Sequence, residues 1–210
     1  MSAARPDRAD GVPAGDTMPS TTGPYAPSVS TDDGVDHPRA LLGRLVLPWR
    51  TVPAVVYDRH LTVRVANALA GAVHPTFRSG ANLARATFLR PEGDEAFRAS
   101  SETAEAVPLG ARVVAELRRS LDEHEEDRGY VELVGELAAR SEAFARLWAG
   151  PDAADPDGVV GFDNPVVGHL ALAYHRFAVP GPDGDTLLLW RGADEPSARR
   201  LSSLADSLAD

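Results

Sequence analysis

The sequence predicts an α+β fold in which one antiparallel sheet is covered on one face by helices. Three observations lead to this prediction. Two short strand-like segments come first, a long stretch with helical periodicity follows, and about three strands and a helix end the chain. Strands at both ends of a domain with helices between them are typical of α+β architecture.

Residues 1–38 differ in composition from the rest of the chain. They are rich in Pro, Gly, Ser, Thr and Asp and contain almost no large aliphatic side chains. Such a segment cannot bury enough apolar surface to offset its chain entropy, so we expect a disordered tail. The composition changes at about Leu41, and we place the folded domain over residues 39–210.

The first two strands are expected between Pro53 and Asn67, where short apolar runs flank a polar joint. Asp58 lies in this joint and is a residue type that turns favour. Asn67 follows the second strand and is a good helix N-cap, so we expect a short helix over Ala68–Ala72.

A second short helix is expected over Asn82–Leu89, again with an asparagine at its start. Leu83, Thr87 and Phe88 share one side of this helix by their spacing. The side chain of Asn82 can cap the helix by accepting a hydrogen bond from an early backbone N–H.

Three longer helices are expected in the middle of the chain, the first within Glu95–Leu121. Its apolar residues recur every four positions, and Pro108 implies a kink or a break before them. Ser141 is suited to begin the third helix. The three apolar faces consist of Leu109, Val113, Leu117 and Leu121; of Tyr130, Val134 and Leu137; and of Phe144, Leu147 and Trp148.

The acidic segment Asp122–Asp127 joins the first two of these helices. Its carboxylates lack any fixed ligand spacing, which favours a solvated loop over a cation site. Residues 151–158 form a second predicted loop, because Pro, Asp and Gly dominate them.

The last part of the chain predicts three strands and a helix. A short strand is expected near Val159, a long one from Gly168, and a third over Thr186–Gly192. The turn at Pro180–Asp185 makes the last two strands the clearest hairpin in the chain. The final helix is expected from about Pro196, with three leucines on one side: Leu201, Leu204 and Leu208.

Two histidines in the long strand raise the question of a metal site. His169 and His175 share one face of this strand, and Leu170, Leu172 and Tyr174 point to the other, interior face. Six residues of strand separate the histidines by roughly 20 Å. A zinc–nitrogen bond is about 2 Å long, so one ion cannot join them.

Composition excludes several classes of function. The formal net charge is −10, and every basic residue is arginine. This acidic balance argues against nucleic-acid binding by the chain alone, because phosphate contacts need clustered positive charge. Cysteine is absent, so disulfides and thiol chemistry are excluded. We find no apolar run of membrane-spanning length and no signal-peptide core, and we expect a cytoplasmic protein.

No catalytic or cofactor-binding signature is present. The sequence lacks a nucleophile elbow, a P-loop, a dinucleotide-binding glycine motif and a zinc-protease motif, so we expect neither an enzyme nor a cofactor or metal. The aromatic residues leave two interpretations open, a filled core or a mostly apolar cavity for a small ligand. These residues are Phe88, Phe97, Phe144, Trp148, Tyr174 and Trp190.

Six segments in order resemble the C-terminal ligand-binding domain of MmyB-like transcription regulators, which are common in actinobacteria. They read VPAVVYDRHLTVRVAN, NLARATFLRP, ELRRSL, SEAFARLWA, NPVVGHLALAY and DTLLLWRGADEPS, and the resemblance covers about residues 47–208. The resemblance implies a PAS-like fold. It also implies a sensor that binds a small, fatty-acid-like ligand and signals to a DNA-binding domain.

The chain departs from the family pattern in two places. The family carries an N-terminal helix-turn-helix, whereas residues 1–38 have neither helical periodicity nor basic charge. The family usually has His-Pro after a basic residue, whereas here Asp163 precedes Asn164-Pro165. From the first departure we expect the chain to act on transcription through a partner. The second departure argues against a ligand that binds through an acidic group.

Eight residues are the candidate ligand-binding residues: Asn82, Arg85, Phe88, Phe144, Trp148, Asn164, Tyr174 and Trp190. Arg85 has two possible partners, a structural carboxylate such as Asp58 or the anionic head group of a ligand. The alternative function is an interaction module with a filled core, which binds a second copy or a regulator protein through its sheet or last helix.

Overall fold

The structure is a computed structural model, which describes residues 38–89, 109–123, 126–151 and 158–209. Every described helix and strand belongs to one compact unit, residues 36–210. The predicted disordered tail (apart from Pro38), Phe97 and the predicted break at Pro108 lie outside the described residues, as does most of the predicted loop after residue 151.

Five strands and seven helices occur in the described ranges. The helices are α1 (Pro38–Val46), α2 (Ala68–Val73), α3 (Leu83–Phe88), α4 (Leu109–Glu123), α5 (Arg128–Arg140), α6 (Glu142–Ala149) and α7 (Glu195–Asp206). The strands are β1 (Ala54–Tyr57), β2 (Val63–Ala66), β3 (Gly158–Asn164), β4 (Gly168–Ala178) and β5 (Thr186–Gly192).

The five strands form one antiparallel sheet in the order β2-β1-β5-β4-β3. The first two strands of the chain therefore lie beside the last one, and β5 occupies the centre. This arrangement confirms the predicted α+β class, an antiparallel sheet with six of the described helices, α2–α7, on one face. The predicted hairpin between β4 and β5 is present, and its turn contains Gly184 at a φ of 61°.

The inner face of the sheet packs against α2–α7 to form the main hydrophobic core. Leu170 and Leu172 are fully buried and Tyr174 is 8% exposed, as predicted for the interior face of β4. His169 and His175 lie on the opposite face, where His169 is half-buried and His175 is exposed.

Helix α1 was not predicted and lies on the outer face of the sheet. A Cβ at Gly43 would be 3.8 Å from Cγ2 of Val65 on β2. Val65 is in register with Val56 of β1, which points away from the core. Arg39 binds Asp185 through two hydrogen bonds of 2.8 and 2.6 Å. This ion pair joins the first turn of α1 to the residue just before β5.

Two predicted helix caps are confirmed. Oδ1 of Asn67 accepts a hydrogen bond of 3.0 Å from the N–H of Ala70 at the start of α2. Oδ1 of Asn82 accepts one of 3.0 Å from the N–H of Arg85 at the start of α3. Ser141 caps α6 in the same way, which also confirms the predicted start of that helix.

The turn between β1 and β2 is built on Asp58, as predicted. Its Oδ1 accepts hydrogen bonds of 2.9 Å from the N–H groups of His60 and Thr62. These bonds hold Leu61 at a φ of 61°, in the left-handed region that non-glycine residues rarely occupy. The side chain of Leu61 is 1% exposed, so burial in the core offsets the backbone cost.

The predicted loop over Asp122–Asp127 was placed two residues too early and is not solvated throughout. The helix α4 continues to Glu123, and Asp127 caps α5 by accepting a hydrogen bond from the N–H of Tyr130. The same carboxylate binds Arg59 and His60 of the β1–β2 turn. The sequence pattern missed this role because both partners are distant in the chain. Leu208 was also misplaced, since α7 ends at Asp206.

Candidate functional site

Four polar residues meet between α4 and the inner face of the sheet. We name them the α4–sheet cluster: Tyr57, Glu116, Arg119 and Arg176. Oε1 of Glu116 accepts hydrogen bonds of 2.8 Å from the hydroxyl of Tyr57 and from Nη2 of Arg176. Its Oε2 accepts one of 2.9 Å from Nη1 of Arg119. Two arginines thus converge on one carboxylate.

The cluster lies at the rim of the core, where water still reaches part of it. The side chains of Glu116, Arg176 and Arg119 are 16%, 18% and 25% exposed, and Tyr57 is 3% exposed as a residue. Burial raises the pKa of Glu116, although Arg176 and Tyr57 oppose this shift. Burial also raises the pKa of Tyr57 well above its usual range, so the phenol remains a hydrogen-bond donor at neutral pH.

Secondary structure explains how these residues meet. Glu116 and Arg119 are three positions apart on α4, so they are neighbours on one face of the helix. On the sheet, Arg176 is in register with Leu188, and Leu188 with Val55. Because Val55 belongs to the core, this register directs Arg176 towards the helices.

Arg112 adds a further contact between α4 and the sheet, one helical turn before Glu116; we call it and the α4–sheet cluster together the charged seam. It lies four residues before Glu116 on α4 and donates hydrogen bonds to the hydroxyl of Tyr174 and to the carbonyl of Val159. Its guanidinium carbon is 5.0 Å from the centre of the Tyr174 ring. Gly158, in register with Tyr174, leaves the space that the guanidinium fills.

Three of the predicted aromatic residues do come together, on α3 and α6. The ring centres of Phe88 and Phe144 are 5.1 Å apart, and those of Phe144 and Trp148 are 5.5 Å apart. The guanidinium of Arg118 covers the ring of Trp148 at 5.5 Å. Phe144 is fully buried, whereas Phe88 and Trp148 are only partly buried.

Trp190 belongs to a second aromatic group. Its ring centre is 4.5 Å from that of Phe77, which in turn lies 5.6 Å from Phe162. His74 completes this group at 5.5 Å from Phe162. Four of the predicted aromatic residues therefore lie in two packed groups, whereas Tyr174 contacts Arg112 and belongs to neither.

Arg85 pairs with a carboxylate other than the expected one. Its Nε donates a hydrogen bond of 2.7 Å to Glu136 on α5, and its side chain is 48% exposed. Asp58 instead binds Arg64, at 2.6 Å. The pKa of Glu136 is lowered, first by its hydrogen bond from Arg85 and further by Arg140.

Both candidate asparagines have structural partners. Asn82 donates hydrogen bonds of 2.7 and 3.2 Å to the carbonyl of His60 and the hydroxyl of Thr62, besides capping α3. Asn164 donates to the carbonyl groups of Ala72 and Val73 at the end of α2. Its Oδ1 also accepts from the backbone of the β3–β4 turn, so its amide joins two elements.

Sequence reasoning missed the α4–sheet cluster and Arg112. Two signals were present in the sequence. Arg112, Glu116 and Arg119 follow i, i+4, i+7 spacing, which places them on one face of a helix. Arg176 is two residues after Tyr174 and therefore occupies an inward position of the same strand. A charged residue at an inward position is unusual and marks a candidate site.

Two properties of the described part of the chain bear on its class. Within those ranges, no three His, Asp or Glu side chains are grouped closely enough to hold a metal ion. None of the helices there has both the length and the apolar character needed to span a bilayer. The fold and the cluster together define an α+β domain with a charged seam between its helical layer and its sheet.

Comparison with known families identifies this domain. The family described as the MmyB-like transcription regulator ligand binding domain matches residues 38–204, so the chain belongs to this family. No curated protein sequence matches the chain. Membership in a regulator's ligand-binding family favours a role without catalysis. The expected lack of a helix-turn-helix concerns residues before Pro38. These residues precede the matched range, and the structure does not describe them.

Proposed function

We propose that this chain senses a small, mostly apolar molecule with one acidic head group, such as a fatty acid, and acts on transcription through a partner protein. The observation that carries the proposal is the charged seam between the helical layer and the sheet. Arg112, Arg119 and Arg176 lie there in a chain whose net charge is −10. Partly buried arginines are suited to bind a carboxylate or a phosphate.

The packing of the domain supports an apolar ligand body. The first turn of α4 lies beside the partly buried aromatic group, since a Cβ at Gly110 would be 3.2 Å from Leu147 and from the ring of Phe88. Arg112 follows within the same turn. A ligand with an acidic end and an apolar tail would match this combination of charge and aromatic surface.

The acidic balance of the chain supports action through a partner. Specific binding to duplex DNA depends on clustered positive charge facing the phosphates, and this chain carries an excess of carboxylates. A role in transcription also fits a cytoplasmic protein. A mobility-shift assay at physiological salt tests this part of the proposal, and sequence-selective binding by the chain alone at submicromolar concentration would refute it.

Native mass spectrometry of the gently purified protein tests ligand binding most simply. We expect an adduct that has the mass of an acyl acid or a similar amphiphile and that dissociates on activation. Titration with dodecanoate, followed by the thermal midpoint, serves when no ligand co-purifies. A protein that carries no adduct and whose midpoint does not respond to dodecanoate would contradict the proposal.

The alternative function, a protein-interaction module, has one observation in its favour. Leu41 and Leu45 on α1 are 49% and 55% exposed, and Phe177 on β4 is 51% exposed. All three belong to the side of the sheet away from the core. A second copy of the chain would bury them by pairing the same surfaces. Sedimentation of the parent and of Leu45→Glu decides this: a dimer that the substitution dissociates supports the alternative.

A further inference from the structure

We propose that the acidic head group of the ligand binds at the α4–sheet cluster, where it takes the place of the Glu116 carboxylate. This inference rests on the proposed function and deepens it, because it names the site of the head group and a consequence of binding. It assigns no ligand contact to Arg85.

The cluster already has the shape of a carboxylate site. Tyr57 and Arg176 donate to one oxygen of Glu116, and Arg119 donates to the other. Charged hydrogen bonds from arginine to both oxygens are the arrangement by which proteins recognise free carboxylates. Glu116 therefore occupies a position that a ligand carboxylate would fill with the same donors.

Exchange of one carboxylate for another leaves no charge uncompensated. If Glu116 alone were lost, Arg176 would remain partly buried beside a phenol without its anion, which is costly. A ligand carboxylate keeps the charge of the cluster constant. Glu116 lies on a helix surface and is already 16% exposed, so rotation about its side-chain bonds can carry it into water.

The surroundings of the cluster suit an acyl chain. Across the sheet, Arg176 is in register with half-buried Leu188, which is in register with buried Val55. This row is packed against the helical layer, so an acyl chain bound by its head at Arg176 would reach it only as the helices move away from the sheet. By contrast, Arg85 is 48% exposed and pairs with Glu136, which also binds Arg140.

The exchange would also give the domain a signal. Glu116 is the α4 residue that binds both β1 and β4, through Tyr57 and Arg176. Its displacement removes this link between α4 and the sheet. The position of α4 would then depend on whether the ligand is bound, which is the two-state behaviour that a sensor needs.

Calorimetric titration with dodecanoate, and with neutral dodecanol as the matched probe, tests the inference in four proteins: the parent, Glu116→Gln, Arg176→Gln and Arg85→Ala. The uncharged glutamine competes less well for the arginines, so Glu116→Gln should bind dodecanoate about tenfold more tightly than the parent. Arg176→Gln should bind it about tenfold more weakly or worse. Arg85→Ala should match the parent, and dodecanol should not distinguish the variants.

The outcomes separate the inference from the proposed function. Equal dodecanoate affinity in the parent, Glu116→Gln and Arg176→Gln overturns the inference and leaves the proposed function intact. A loss confined to Arg85→Ala also overturns it. If neither probe binds any of the four proteins, the proposed function and the inference both fail. Should Arg176→Gln not fold, Arg119→Gln at the exposed rim replaces it, with the same expected direction.

Discussion

Single polar residues hold this domain together by serving several elements at once. Asn67 is 2% exposed, and its Oδ1 accepts hydrogen bonds from the N–H groups of Ala54 and Ala70. Its Nδ2 donates to the carbonyl groups of Trp49 and Val52. The cap on Ala70 was predictable from local sequence, because capping involves residues only three apart. The other three bonds depend on chain segments that only the folded structure brings close.

Removal of the Asn67 amide should therefore cost more than the loss of a helix cap alone. We expect Asn67→Ala to lower the free energy of unfolding by about 3 kcal/mol, since it also leaves buried backbone groups unpaired. Denaturation by urea measures this. Asn82→Ala, which removes the cap and the hydrogen bonds to His60 and Thr62 at the less buried start of α3, is the matched control and should cost less. A loss below about 1 kcal/mol for Asn67→Ala would contradict the assigned network.

Asp127 should contribute to the acid sensitivity of the domain. Its pKa is lowered chiefly by the backbone N–H of Tyr130, and further by His60 and Arg59. A carboxyl whose folded-state pKa lies below its unfolded value stabilises the fold fully above the unfolded value of about 3.9. This contribution is lost as the pH falls through the folded-state pKa.

The thermal midpoint of Asp127→Asn between pH 6 and pH 3 tests this sign. The variant should be less stable than the parent at pH 6, and the difference should shrink as the pH falls. Glu142→Gln, at a side chain that is 87% exposed, removes the same charge and controls for the change in net charge. A difference that grows towards pH 3 would show that the sign is wrong.

At the scale of elements, the predictable parts are those with a strong local pattern. Helix α4 was expected because its apolar residues recur every four positions. Strand β5 was expected because it is a short apolar run bounded by glycines. Helix α1 was missed because its leucines do not mark its buried face: Gly43 and Val46 are buried, whereas Leu41 and Leu45 are exposed. It is held in part by the pair of Arg39 with Asp185, 146 residues away.

Close packing between β5 and α7 makes Gly192 a sensitive position. A Cβ there would lie 2.6 Å from Cα and 2.9 Å from Cβ of Ala198, so backbone must move to admit it. We expect Gly192→Ala to destabilise the domain by about 3 kcal/mol. The matched control is Gly135→Ala in α5, where a Cβ meets nothing within 4 Å. It should stabilise by about 0.5–1 kcal/mol.

Urea denaturation of these two alanine variants gives the comparison directly. Two similar effects, or a stabilising effect at Gly192, would mean that α7 does not pack against the end of β5 as closely as the structure shows. Helix α7 also binds β4, just beyond the end of β5. There the hydroxyl of Ser197 accepts a hydrogen bond of 3.0 Å from the N–H of Ala171.

The ion pair at α1 gives a second prediction at this scale. Arg39→Ala would leave Asp185, whose side chain is 5% exposed, without its bidentate partner. Because Arg39 is itself 27% exposed, we expect a loss of about 1–2 kcal/mol, less than for a fully buried pair. Arg128→Ala, which breaks a pair whose arginine is 92% exposed, should change stability little. Equal effects of the two variants would contradict the anchoring of α1 through Asp185.

At the scale of the whole molecule, fold and site differ in how far the sequence predicts them. The α+β class follows from the order of apolar patterns, which reports which faces must be buried. The site does not follow in this way, because Tyr57, Glu116 and Arg176 lie on three elements that meet only in the folded chain. Four of the residues selected for aromatic character lie in two packed groups instead, and Tyr174 lies beside Arg112.

A crystal structure of the protein with dodecanoate tests the central claim most directly. We predict the ligand carboxylate at about 2.7–3.1 Å from the hydroxyl of Tyr57 and the guanidinium of Arg176, with the Glu116 side chain turned towards solvent. A carboxylate bound at Arg85, or a bound ligand beside a Glu116 that still holds Tyr57 and Arg176, would contradict the account.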